Sequence, residues 1–278
     1  MGCLLILLCS VCCAWPIVAV LSSSRNAEQC RVCERNLEMI ALALQFYEAR
    51  WGCLPPAYLA DDRGKPMHSW RVLLLPELQE SGLYQQYDFS EPWNGPNNRL
   101  LGPCIPGVYR CPFNNRDIHC EEAAYVAVTG PDTMWPGAEG RKAAEIKDGW
   151  PGTLALAEAP DAGIHWMEPR DITAEAFLRR HTSGNATAAC RAHYRDEFLH
   201  YSWGWNVAFA DCRVRSLSES SPKEALSALL TVDGGEPVLP DSERLAPRKH
   251  SRIVAGILFL FLCALPVVRL RRRPVAGN

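Results

Sequence analysis

The chain has 278 residues, 48% of them hydrophobic and 22% charged, enough for one large or two small domains and far from the composition of disordered, collagenous or coiled-coil chains. Its formal charge is −2, yet all 31 Asp and Glu lie between Glu28 and Glu243, and residues 26–247 hold only 21 Lys and Arg, a net of −10. An acidic body repels phosphates, which argues against nucleic acid as a partner.

The first 24 residues carry no charge, and Cys3 to Leu21 is nearly all apolar, close to the roughly 20 helical residues needed to cross a hydrocarbon core. The first cation is Arg25 and no Ala-x-Ala site follows, so residues 1–24 read as a retained transmembrane or signal-anchor segment. Cys33, Leu37, Ile40, Ala41, Leu44, Tyr47 and Trp51 then recur at three- and four-residue steps, which predicts an amphipathic helix over 28–51 that Gly52 and Pro55-Pro56 stop.

From Pro55 to about Gly140 the chain is rich in Pro, Gly, Asn and Trp, with a second helix expected near Trp70 to Tyr84 and limited by Pro76. Short β-like runs follow at Tyr125 to Thr129, Thr153 to Ala157, Ile164 to Met167, Trp205 to Ala210 and Arg213 to Leu217. The last two make a hairpin around Asp211-Cys212, where a turn that favours Gly carries Cys and is expected to be strained. Pro222 to Leu230 reads as a short helix. Ile253 to Val268 is 16 uncharged residues fenced by Arg252 and Arg269, with four arginines in 269–273, a stop-transfer pattern that the positive-inside bias orients with its tail in the cytoplasm. The expected organisation is therefore an anchor over 1–24, an extracytoplasmic domain over 25–240, a linker over 241–252, a transmembrane helix over 253–268 and a basic tail over 269–278.

Five of 13 cysteines fall in the apolar ends, leaving Cys30, Cys33, Cys53, Cys104, Cys111, Cys120, Cys190 and Cys212. An even number in an exported domain favours disulfides without fixing their pairing. Among these eight, Cys30-x-x-Cys33 is the one CxxC, and structural zinc would call for a second such pair.

Cys33-Glu-Arg-Asn36-Leu37-Glu-Met-Ile40-Ala-Leu42-Ala-Leu44-Gln-Phe-Tyr47 and Gly52-Cys-Leu-Pro55-Pro56-Ala-Tyr58 resemble the start of a large planctomycete family of pilin-like proteins of unknown function. Its pattern continues in order through Ser69-Trp70-Arg71, Pro92-Trp93-Asn-Gly-Pro-Asn97-Asn98, Tyr109-Arg110-Cys111-Pro112, Tyr125 to Pro131, Asp148-Gly149, Glu158, His165 to Asp171, Asn206 to Asp211 and Leu229 to Glu236. That family often carries a prepilin-type N-terminus and a closing signature of His, nine residues, then Asp-Gly. Here no acidic residue precedes Glu28, ten residues separate His200 from Asp211, and Cys212 stands where the signature has Gly. The resemblance implies an α+β fold of type IV pilin or pseudopilin kind, a long N-terminal helix laid on an antiparallel sheet. It also implies a Cys33–Cys111 disulfide, since its motifs carry those two cysteines.

No G-x-S-x-G, H-E-x-x-H, P-loop or G-x-G-x-x-G pattern occurs, so no catalytic residue and no cofactor is expected. The best polar constellation is His165 and Glu168 with His200 and Asp211, a set able to hold a divalent cation. The reading favoured over it takes Glu168 and Arg170 as structural hydrogen-bond and ion-pair partners under a loop. Trp135, Trp150, Trp166, Trp203 and Trp205 either fill the core or line a sugar-binding surface. The sequence thus points to a membrane-anchored, non-enzymatic protein with a structural or interaction role and protein partners at the cell surface. The alternative is an extracytoplasmic binding module for a small solute, sugar or divalent cation, which requires Trp166, Trp203 and Trp205 to share one exposed concave face.

Overall fold

A computed structural model of the protein describes residues 28–112, 120–182, 194–197, 200–218 and 221–235. The segments expected to meet the membrane, 1–24 and 253–268, lie outside the described residues, as do the linker and tail. Among the described residues no helix is long and apolar enough to cross a membrane.

Helix α1 covers 28–51. Its stripe of Cys33, Leu37, Ile40, Ala41 and Leu44 is fully buried, and each large aliphatic contributes about 1.5–3 kcal/mol by leaving water. Trp51 departs from the expected stripe: it is 60% exposed, on the last turn before Gly52 at φ +75. A two-stranded ribbon follows, β1 (Tyr58–Ala60) antiparallel to β2 (Pro66–Ser69). Leu54 N–H donates to Arg141 O and Ala57 N–H to Gly137 O, fixing the end of α1 on a later loop. Gly140 is required there, because a Cβ would lie 2.2 Å from Leu54 O.

The single helix expected over 70–84 is two, α2 (Trp70–Leu73) and α3 (Ser81–Gln86). Pro76 has no N–H with which to continue the first one. The chain stops on Gln79 at φ +65, with Glu80 N–H bonded to Leu75 O and Gln79 N–H to Pro76 O, the paired bonds of a Schellman motif. Beyond it the Pro- and Asn-rich stretch is held by Asn98, fully buried, whose side chain accepts from Asp88 N and donates to Asp88 O and Pro92 O.

The main sheet is antiparallel. Strand β3 (Tyr125–Val126) pairs β5 (Leu154–Glu158), which pairs β8 (His200–Phe209); β8 also pairs β7 (Tyr194–Glu197) and β9 (Val214–Ser218). Two further strands, β4 (Val128–Thr129) and β6 (Ile172–Thr173), form a small parallel pair. The run over 125–129, expected as one strand, is therefore split at Ala127. The run over 164–167 is a turn, with Glu168 N–H bonded to His165 O and a lone bridge from His165 to Glu122. Helix α4 (Ala174–Thr182) and α5 (Lys223–Ala228) complete the order, the latter inside the helix expected at 222–230.

Both faces of the sheet are covered. Ala208 of β8 and Ala210 just past its end pack into the cluster that contains α1, whereas Trp205, Val207 and Phe209 pack with Phe177 of α4 and Leu226 of α5, the period-two alternation of a strand between two layers. In strand β5 an irregularity between Leu154 and Leu156 breaks that alternation, so that Leu154, opposite Phe209, packs with the second cluster while Ala155 and Leu156, the latter opposite Ala208, both pack with the first. Gln45 Nε2 donates to Ala210 O at 2.9 Å, tying α1 to the end of the hairpin.

Arg71 and Asp171 form a buried ion pair beneath α2. The five guanidinium N–H groups donate to Asp171 Oδ1 and Oδ2, to Tyr125 O twice and to Ser69 Oγ. Asp171 in turn accepts from Ala127 N at 2.8 Å and from Trp70 Nε1 at 2.9 Å. Ala127 thus spends its N–H on a carboxylate, which is why β3 and β4 are separate.

Two outcomes follow for stability. Asp171→Ala, which strands the buried guanidinium, lowers unfolding free energy by about 3–5 kcal/mol in a denaturant titration, and Asp171→Asn recovers part of that loss. In the β8–β9 hairpin, Phe209 N–H bonds Arg213 O and Cys212 sits at φ +68, the left-handed residue of a three-residue turn. Cys212→Gly relieves that strain and raises stability by about 1 kcal/mol in the same measurement.

Candidate functional site

The residues offered by the sequence as a cation site are not brought together. His200 begins β8 and Asp211 lies just past its far end, separated by roughly 30 Å of extended strand, so no ion bridges them; the His200 side chain lies outside the described residues. Asp211 accepts from the Arg213 backbone N–H at 3.2 Å and from its Nε at 2.5 Å. His165 and Glu168 do share one turn, but their groups face other partners. His165 Nε2 contacts Glu121 Oε2 at 3.0 Å and its Nδ1 accepts from Met167 N at 3.1 Å. Glu168 pairs with Arg170 at 2.6 Å, and Arg170 also donates to Gly163 O. This is the structural ion pair under a loop that was the competing reading. Trp93 packs against the His165 ring at 4.9 Å.

The tryptophans do not form one surface either. Trp135 and Trp166 are buried in the α1-side cluster, where Trp166 Nε1 donates to Gly102 O, while Trp205 is buried in the opposite cluster against the His181 ring at 3.7 Å. Trp150 is half-buried, and the Trp203 side chain lies outside the described residues. With Trp166 and Trp205 on opposite sides of the sheet, the sugar-binding face is lost. A groove of about 310 Å³ opens beside Tyr58, Thr129, Pro136, Pro169 and Thr173. Asp171 also lines it, with both carboxylate oxygens already engaged by four donors.

Asp148-Gly149 and Asp233-Gly234-Gly235 form two turns that meet each other. Asp148 accepts from Gly234 N at 2.7 Å and Gly235 N at 2.8 Å, and Lys147 pairs with Asp233. Gly149 and Gly235 take φ values of +78 and +72, the role glycine serves in turns.

One cluster of chemically capable side chains is assembled from distant parts of the chain. Cys33 of α1 and Cys111, which follows a 3-10 turn at Gly107–Tyr109, place their Sγ atoms 3.7 Å apart and are both buried. They are in thiol contact, wider than the ~2.05 Å of a covalent bridge. A carboxylate oxygen of buried Glu158 lies within 4.8 Å of both sulfurs. Glu158 stands opposite Tyr125 in the β3–β5 register and accepts from Asn206 N of β8 at 3.2 Å. Asn36, one turn after Cys33, donates to Tyr125 Oη at 3.2 Å and to Arg110 O at 3.0 Å. The site is thus the seam where α1 meets the edge of the sheet. The hydrogen bond to Cys111, then burial and the nearby Glu158 charge, hold the Cys33 thiol far above its ordinary range. Burial does the same to the Tyr125 phenol. Sequence reasoning reached Cys33 and Cys111 through the family motifs; Glu158 was visible only as a member of those motifs, and nothing local marks it as the third partner.

Burial shifts three imidazoles the other way. His68, bonded to Tyr87 Oη at 2.9 Å, and His165 are both lowered chiefly by desolvation, and His181 falls to about 3 through desolvation and the neighbouring Arg180. The unfolded chain binds protons at these rings near the ordinary value of 6.5, and the folded chain binds them only at lower pH. Stability is therefore present above that pH and falls as pH drops below it, by up to about 1.4 kcal/mol per pH unit for each imidazole. Denaturant titrations at pH 6.5 and 5 show the lower stability at pH 5, and His181→Phe flattens the dependence.

Residues 31–140, less than half of the chain, match the family model SBP_bac_10, described as a protein of unknown function (DUF1559). Searches of the curated proteins and of the solved structures each return no match.

Proposed function

We propose that the chain is a membrane-anchored extracytoplasmic protein of pilin-like type, with a non-enzymatic structural or interaction role at the cell surface. The observation that carries this reading is the docking of α1: an N-terminal helix laid through Leu37, Ile40 and Leu44 against an antiparallel sheet, directly after a 24-residue stretch without charge. The collinear motifs shared with the pilin-like family add to it.

The same helix is apolar on a second face. Met39, Leu42 and Phe46, at three- and four-residue steps, are 48%, 43% and 54% exposed, a stripe suited to contact with another protein. His165, Glu168 and Asp211, which sequence reasoning offered for chemistry, are instead occupied in turns and ion pairs, which favours a scaffold over a catalyst.

Protease shaving of intact expressing cells, read by mass spectrometry, tests the topology. Peptides from 28–240 are expected in the released fraction, while 1–24 and 253–268 stay with the membrane. Release of the 28–240 peptides only after lysis overturns the reading.

A further inference from the structure

We propose that Cys33, Cys111 and Glu158 are the ligands of a buried zinc ion. Two thiolates on one tetrahedral zinc, each with a bond of about 2.3 Å, stand about 3.8 Å apart, and the two sulfurs here are 3.7 Å apart. A carboxylate oxygen at about 2.0 Å from the same ion lies about 3.5 Å from each sulfur, inside the 4.8 Å span that encloses all three ligand atoms. The donor set selects the metal. Two soft sulfurs with one carboxylate suit zinc and are refused by calcium and magnesium, which take oxygen alone.

The surroundings fit such an ion. All three ligand residues are buried, as structural zinc ligands are. The Tyr125 hydroxyl lies beside Cys33 and accepts from Asn36 Nδ2 at 3.2 Å. Binding replaces the two thiol protons, which leave to solvent, and turns three ligands into two thiolates and a carboxylate around a divalent ion. The remaining single negative charge faces the Asn206 N–H that already donates to Glu158. The ion joins α1, the segment after the 3-10 turn and β5 at one point, so its binding energy becomes energy of helix docking. The site requires both thiols to be reduced, since a bridged pair leaves no thiolate for the ion.

The test uses the full-length chain in detergent, with no metal-binding tag, purified with reductant and without chelator. Elemental analysis is expected to return one zinc per chain after dialysis. Replacement by Co(II) is expected to give a sulfur-to-cobalt charge-transfer band. Cys111→Ser at least halves that band. Glu158→Gln, which keeps the acceptor for Asn206, weakens zinc binding by at least the roughly 10–100-fold seen when even an outer-sphere partner is lost. If Cys111→Ser does not fold, the unmutated chain and Glu158→Gln decide the matter. Sub-stoichiometric zinc with no cobalt band overturns the proposal, as does a covalently bridged Cys33–Cys111 peptide after alkylation of free thiols.

Discussion

The buried contact between Arg71 and Asp171 is the constraint around which the rest of the molecule is arranged. A guanidinium taken out of water must have every donor met, and here five bonds meet five N–H groups. Meeting them dictates where β3 runs, because Tyr125 O receives two of the bonds. It dictates where β4 begins, because Ala127 N–H turns to Asp171 and leaves the ladder. The same Asp171 directly precedes β6, so the small parallel pair with β4 is set by the latch as well. Tyr109 Oη donates to Arg71 O at 2.9 Å, which carries the constraint on to the loop that delivers Cys111. The family match ends at residue 140, yet Asp171 and the strands β5 and β8 that support α1 lie beyond it, so the matched segment draws its core from the remainder of the chain.

What the sequence made legible follows from how local each signal was. The α1 stripe is a repeat within one helix and was read almost whole; Trp51 fell outside because the apolar period outlasts the surface it packs on. The hairpin at Asp211-Cys212, including its strain, was legible because turn chemistry is decided by a few adjacent residues. The helix over 70–84 was read too long because Val72, Leu73, Leu75 and Leu78 keep an apolar pattern through Pro76, and pattern alone does not register the stop at Gln79.

The site was less legible because its contacts span long separations. His165, Glu168, His200 and Asp211 looked convergent by residue type, but a ten-residue strand divides two of them and Arg170 and Glu121 take up the other two. The run over 164–167 has strand composition, yet its residues turn to place Trp166 in the core and Asp171 under Arg71. Glu158 gave no local sign at all: only the β3–β5 register and the seating of α1 bring it to the two sulfurs. Asn98 was similarly silent, holding a loop through backbone groups that no side-chain pattern announces.

The alternation along β8 has a consequence for how the protein tolerates change. On the side of Ala208 and Ala210 the helix lies close over methyl groups, so enlarging a residue there wedges the layers apart while trimming has nothing to remove. On the side of Trp205, Val207 and Phe209 the reverse holds, since trimming opens a void that the short helices α4 and α5 cannot collapse to fill. The one strand therefore divides the permitted drift of its sequence into two opposite regimes, residue by residue.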